Sequence, residues 1–195
     1  NGVVYSLASQ TGDTYWNHAS SLTVTCNGTW SRAGGTGTRA TNWDLDGGAA
    51  TSVSTTSTFT TTTITMTATH TVNVAIATQY QLTQNAAATS ALVSCTNPTI
   101  TSDNYWYDSG TASVSCTLNG VYGRASGTGT RVSSYNWDGG SNTAQSTTGT
   151  FTTSTQTMSA THVVNANTAT QYQVTLDTGA TDALSSITLP TITSD

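Results

Sequence analysis

Apolar and polar residues alternate along most of this chain. Leu22, Val24 and Cys26 occupy one parity of their segment, as do Ala112, Val114, Cys116 and Leu118 of theirs. A period of two places every second side chain on one face of a strand, whereas no window carries apolar residues at helical spacing. The alternation predicts strands near Thr11–Trp16, Ser21–Trp30, Thr38–Leu45, Ala50–Thr55, two within Thr58–Val74, then Thr78–Gln84 and Ala91–Thr96. Turn signals separate them at intervals of roughly 8–12 residues, the spacing of a β-sandwich. Asp46-Gly47-Gly48 and Asn27-Gly28 read as hairpin turns, because glycine takes positive φ without steric cost. The expected core is Leu22, Val24, Phe59, Ile64, Met66, Tyr80, Leu82 and Leu92, continued by Phe151, Met158, Tyr172, Val174, Leu184 and Ile187.

The pattern is written twice. Thr25–Asp103 and Thr117–Asp195 align without a gap at an offset of 92 positions, with 47 identities in 79 pairs. Gly35-Thr36-Gly37-Thr38-Arg39 recurs as Gly127-Thr128-Gly129-Thr130-Arg131, and Thr78-Gln79-Tyr80-Gln81 as Thr170-Gln171-Tyr172-Gln173. Tyr15-Trp16 and Tyr105-Trp106 open the two copies. A repeat of this length is a small domain rather than a solenoid unit. The expected fold is all-β: two tandem β-sandwich domains at 15–103 and 104–195, plus an N-terminal extension strand within 1–14. Pro98–Asp103 is β-prone and predicts a stiff junction rather than a flexible linker.

Composition sharpens the class. Lys and Glu are absent, four Arg face nine Asp, and Thr and Ser contribute 47 and 24 of 195 residues. Loss of two strong surface helix formers in favour of Thr suits strands. Four Arg cannot neutralise a phosphate track, so nucleic acid is not an expected partner. No apolar run approaches the roughly 20 residues of a membrane span.

Candidate chemistry is sparse. Asp44-Leu45-Asp46-Gly47-Gly48 lacks the bidentate Glu of an EF-hand loop and reads as a turn. Gly34–Arg39 lacks a P-loop Lys, and an Arg stacked on an aromatic such as Trp30 or Tyr122 suits it better. His70 and His162 are equivalent, each without the converging ligands of a zinc site. No nucleophile elbow, triad or distinguished carboxylate pair is present in the pattern, so no catalytic, cofactor or metal residues are expected. The five Trp read as core and junction packing, or alternatively as a platform for sugar stacking.

Three cysteines leave one over. Connectivity does not follow from sequence; Cys26–Cys95, joining two core strands of one domain, is the expected pair. Asn27-Gly28-Thr29 is a usable N-glycosylation sequon. The outward parity of Thr63, Thr65, Thr67, Thr155 and Thr157 marks them as candidate O-glycan carriers.

Tyr105-Trp106-Tyr107-Asp108-Ser109-Gly110, Leu118–Arg124 and Gln171–Leu176 resemble the immunoglobulin-like repeats of archaeal and bacterial extracellular surface proteins. The resemblance covers both copies and implies a secreted, often glycosylated, structural or adhesive module at the cell surface. The expected function is a structural subunit of an extracellular fibre or surface assembly. Its expected partners are copies of itself, joined head-to-tail, and covalent glycans. The expected donor strand is the uncharged N-terminal segment, through Val3, Val4, Tyr5 and Leu7. The alternative is a carbohydrate-binding or adhesive module.

Overall fold

The computed structural model describes residues 15–97 and 105–187, together with the backbone of Val4–Leu7. The described residues are all-β apart from two helices of six residues. In order, the elements are β1 (Val4–Leu7), β2 (Ser21–Leu22), β3 (Val24–Asn27), β4 (Thr29–Ala33), β5 (Thr36–Leu45), β6 (Thr51–Ser52), β7 (Thr58–Thr60) and β8 (Ile64–Thr65). Then come β9 (Val72–Gln84), α1 (Ala86–Ala91), β10 (Leu92–Cys95), β11 (Trp106–Asp108), β12 (Cys116–Asn119) and β13 (Val121–Ala125). The series closes with β14 (Thr128–Trp137), β15 (Thr143–Ala144), β16 (Thr150–Thr152), β17 (His162–Tyr172) and α2 (Thr178–Ala183).

These elements form two compact units whose limits cut across the sequence repeats. The first gathers the described residues up to Gln81, then 105–111 and 158–161; the second gathers Leu82–Thr96, Ala112–Thr157 and 162–187. The expected domain limits at 103 and 104 therefore do not separate the units.

In the first unit β3 lies between β1 and β7, and β5 lies between β4 and β9, with β6 also on β5 and β11 on the other edge of β9. Leu22, Val24, Cys26 and Ile64 form one buried cluster, with Trp16, Leu45, Phe59, Met66 and Val72 packed on it. Ala40, Trp43 and Val53 form a second. Asp46 and Gly47 both have positive φ, 56° and 74°, and the Gly48 N–H donates to the Leu45 carbonyl at 2.9 Å. That is the primed hairpin turn expected at Asp-Gly. Asn27-Gly28 is different: it breaks β3 from β4 without pairing them. A side chain on Gly28 would meet the Thr55 and Ser57 carbonyl oxygens at 2.3 Å, so close backbone approach requires glycine there.

In the second unit β12 lies between β10 and β16, and β14 lies between β13 and β17. Leu82–Gln84, the end of β9, runs parallel to His162–Val164 of β17. The helix α1 was not visible as a period, yet its cap is a strong local signal. The Asn85 side chain accepts from the Ala88 N–H at 2.8 Å, and three alanines follow it. Asn85 also grips β17, donating to the Ala166 carbonyl at 3.1 Å and accepting from the Ala166 N–H at 3.2 Å. Ala88 and Ala91 are thereby fully buried.

The disulfide expectation is corrected. The disulfide joins Cys95 to Cys116, not to Cys26, which is a free, buried thiol whose pKa burial raises. The reason is register: Cys95 on β10 lies directly opposite Cys116 on β12, so the strand leaves the first repeat to pair in the second unit. In this single chain the expected donor strand pairs within its own unit. Val4 pairs with Cys26 and Leu7 with Val24 in the same chain, completing the first unit. Val3 and Pro98–Asp103 lie outside the described residues.

Thiol labelling of unreduced, denatured protein should therefore modify Cys26 alone. Closing a 21-residue separation contributes about 3 kcal/mol in the chain-entropy estimate. Reduction should accordingly lower the urea midpoint of the second unit, while labelling of Cys95 or Cys116 would contradict the pairing.

Candidate functional site: two strand sockets

Each unit has two sheet edges that residues of its own repeat leave unmet. The first lies along β3 in one unit and β12 in the other. It is met by β1 through Val4↔Cys26 and Leu7↔Val24, and by β10 through Leu92↔Leu118 and Cys95↔Cys116. Cys26 and Val24 align with Leu118 and Cys116, so the two slots have the same register and are filled in the same way.

The second edge lies on β9. Here β11, which opens the second repeat, pairs as Trp106↔Gln81, Tyr107↔Tyr80 and Asp108↔Gln79. Its side chains are held by the repeated Gly-Thr-Gly-Thr-Arg segment. Arg39 donates to both Asp108 carboxylate oxygens, Nε to Oδ1 at 3.1 Å and Nη2 to Oδ2 at 2.6 Å. Gln79 donates to Oδ1 as well, at 3.1 Å. Arg39 is anchored in turn by Nη1 bonds to the Ala40 and Val53 carbonyls, at 2.8 and 3.2 Å. Arg32 donates to Gln79 Oε1 and lies 4.7 Å from the Trp106 ring centroid. The aromatic partner of an Arg here is thus Trp106, not Trp30 or Tyr122. Gly37 is the floor beneath both groups. A Cβ there would sit 2.6 Å from Arg32 Cγ and 3.2 Å from Trp106 Cζ3.

Burial and pairing set the electrostatics. Burial pushes the Asp108 pKa up, but the Arg39 hydrogen bonds and charge, with Gln79 and Arg32, outweigh it and hold the carboxyl below its ordinary value. Tyr107 is completely buried, and burial, with the Tyr105 charge adding to it, pushes its pKa up to about 12.

The second unit repeats the anchors. Arg124 donates to Gln171 Oε1 at 3.0 Å and Arg131 to the Gln145 carbonyl at 3.0 Å, the counterparts of Arg32–Gln79 and Arg39–Val53. A Cβ added at Gly129 would likewise meet Arg124 Cγ at 2.6 Å. One edge of β17 pairs with β14 from Thr128↔Tyr172 onward; the other carries no strand at Gln171–Tyr172 among the described residues. Side chains that equivalent positions shelter are exposed beyond it. Leu82 is 1% exposed but Val174 is 72%, and Cys95 is 7% but Ile187 is 53%. Tyr172 and Leu184, both expected in the core, are exposed, as are Ala180 and Ala183 of α2, the counterparts of Ala88 and Ala91. The core reading of Tyr172, Val174, Leu184 and Ile187 therefore fails, all in one stretch of chain.

The remaining expected sites are scattered. Thr63, Thr65, Thr67, Thr155 and Thr157 are exposed, while Asn27 is half-buried on β3. Trp43 and Trp106 are buried and Trp16, Trp30 and Trp137 half-buried, so no Trp is an exposed platform. His70 and His162 close a turn rather than stand alone. Nδ1 of each lies 2.7 Å from Oδ2 of Asp46 or Asp138, and Nε2 lies 3.2 Å from the Thr65 or Thr157 carbonyl. The Asp46 hydrogen bond raises the His70 pKa against a small opposing burial effect, and the His70 and Thr71 hydrogen bonds lower that of Asp46. Among the described residues no group of three or more His, Cys or Asp side chains is placed to hold a metal. No helix among them is long and apolar enough to cross a membrane. Compared with known proteins, the chain matches no family model, no curated protein and no solved structure.

Two measurements test this geometry. Asp108→Ala leaves the Arg39 guanidinium, 6% exposed, without its carboxylate, and should cost about 3 kcal/mol in urea unfolding. Arg131→Ala, which breaks no ion pair among the described residues, should cost under about 1 kcal/mol. The His70–Asp46 pair generates the second. A raised His70 pKa contributes stability below the ordinary histidine value and loses it as pH rises through the folded one. The lowered Asp46 pKa contributes above the ordinary carboxyl value and loses it in acid. An NMR titration of the His70 ring should give a pKa above 6.5, returning towards that value in Asp46→Asn; an unchanged titration in the variant would remove the clamp.

Proposed function

We propose that this protein is a structural subunit of an extracellular fibre or cell-surface assembly, built from two immunoglobulin-like sandwich units and extended head-to-tail by strand donation. One observation carries the reading: the segment from Tyr172 to Ile187 exposes the positions whose counterparts in the preceding repeat are packed into a unit. Val174, Leu184 and Ile187 are 72%, 46% and 53% exposed. Exposed apolar residues next to an unmet strand edge are what soluble chains normally avoid and what assembling chains use.

The donor in this reading is the tail, α2 and Leu184–Ile187, and the acceptor is β3 of the next copy. Within one chain the equivalent α1 and β10 already serve β12, locked by Cys95–Cys116. The β1–β3 pairing has no such lock, since Leu7 faces Val24 in the register where Cys95 faces Cys116. The β1 strand is therefore the exchangeable one, and a heterologous contact of this kind propagates into an open filament when its rotation does not close. A surface of Thr and Ser, with Thr63, Thr65, Thr67, Thr155 and Thr157 all exposed, supports O-glycosylation and an extracellular setting. Asn27 carries the sequon at a half-buried strand position, which makes it the weaker acceptor.

Negative-stain microscopy of the purified protein should show filaments. Deleting residues 178–195 should abolish them while circular dichroism remains that of the intact β-structure. Deleting residues 1–8 should promote assembly, because it vacates β3. Filaments that persist without the tail, or that vanish only when residues 1–8 are removed, would overturn the direction of donation.

A further inference from the structure

The β17 edge of the second unit is a second, distinct acceptor. We propose that Arg131, Gln171, Arg124 and Gly129 form a peptide socket for an extended Trp-x-Asp strand. The occupant is a segment with the chemistry of Trp106-Tyr107-Asp108, an aromatic residue followed two positions later by a carboxylate. This goes beyond the tail-to-β3 joint above and does not depend on it.

The first unit holds a filled copy of the same site. In the first unit Trp106 lies over Gly37 against Arg32, and Asp108 takes the two donors of Arg39 and one from Gln79. Each anchor recurs at the 92-residue offset: Gly129, Arg124, Arg131 and Gln171. Their mutual contacts recur too, since Arg124 reaches Gln171 and Arg131 reaches the Gln145 carbonyl, as Arg32 reaches Gln79 and Arg39 reaches Val53. The socket is thus assembled before any ligand arrives, which reduces the ordering cost of binding. Arg131 offers a cationic fork and, among the described residues, has no carboxylate on it. A bidentate Arg–carboxylate pair supplies both energy and register.

Backbone and side chains then recognise different things. The edge of β17 at Gln171–Tyr172, which no strand meets among the described residues, gives main-chain hydrogen bonds to any extended segment, the mode of β-strand addition. The Thr170 carbonyl stands where Thr78 accepts from the Ser109 N–H at 2.8 Å, so the strand would be fixed over the same length. Specificity comes from the side chains one face presents at alternate positions: a flat aromatic on Gly129 and Arg124, an acid on Arg131 and Gln171. The Tyr15-Trp16-Asn17-His18 opening of this chain has the aromatic but carries His where Asp108 stands. It lacks the acid and fits the socket less well than Tyr105–Asp108.

A fluorescein-labelled synthetic peptide of residues 104–112, titrated against the full chain by fluorescence anisotropy, tests this directly. Saturable binding is expected, weakened by at least about tenfold when the peptide carries Asp108→Asn and when the protein carries Arg131→Ala. A peptide of residues 14–22 should bind more weakly than the 104–112 peptide. The peptide-side substitution leaves the protein untouched, so a folding defect in Arg131→Ala cannot imitate the result. No saturable binding, or equal binding by the Asp and Asn peptides, would overturn the socket. Because the measurement needs no filaments, a chain that binds the peptide yet never polymerises would defeat the fibre reading and leave this one standing.

Discussion

An unpaired strand edge presents a row of N–H and C=O groups that some partner must meet. In this protein that constraint shapes the architecture: among the described residues, edges left by one repeat are met by strands from outside it. The β3 and β12 edges are met by β1 and β10, and the β9 edge by β11. In every case the strand comes from outside the repeat it completes. The repeat in the sequence and the unit in space are therefore offset, and the division falls inside one strand, between Gln81 and Leu82 of β9.

The offset gives the conspicuous residues their work. The Gly-Thr-Gly-Thr-Arg segment has the look of a ligand loop, but its second glycine clears the floor for an aromatic ring and its Arg receives a carboxylate. Cys95 and Cys116 join strands of different repeats within one unit. Asn85 caps α1 and clamps it to β17 with the same side-chain amide. Asp177 keeps only the cap, accepting from the Ala180 N–H at 2.7 Å. A carboxylate has no N–H to give to a carbonyl, so α2 lacks the donor half of that clamp.

Much of this was legible in the chain. The all-β class followed from the alternation, and the Asp46-Gly47 turn from its residues. Leu22, Val24, Ile64, Leu82 and Met158 are buried where the pattern put them. What sequence could not supply was the identity of each strand's neighbour. Period-two alternation says that Tyr172, Val174, Leu184 and Ile187 belong against something, but it does not say which strand supplies it, and among the described residues all four are exposed. The Cys26–Cys95 expectation failed for the same reason, by assuming that a repeat and a folded unit share their ends. Short helices escaped because six residues give no period, although the Asn85 cap and its three alanines marked the first.

The second unit draws Leu82–Thr96 from the first repeat. Thermal unfolding of two fragments, followed by circular dichroism, shows whether it needs them: residues 82–195, which contain the whole unit, and residues 104–195, which contain only the second repeat. A cooperative transition is expected for 82–195 and none for 104–195. A fragment 104–195 that unfolds cooperatively at the same temperature as 82–195 would contradict it.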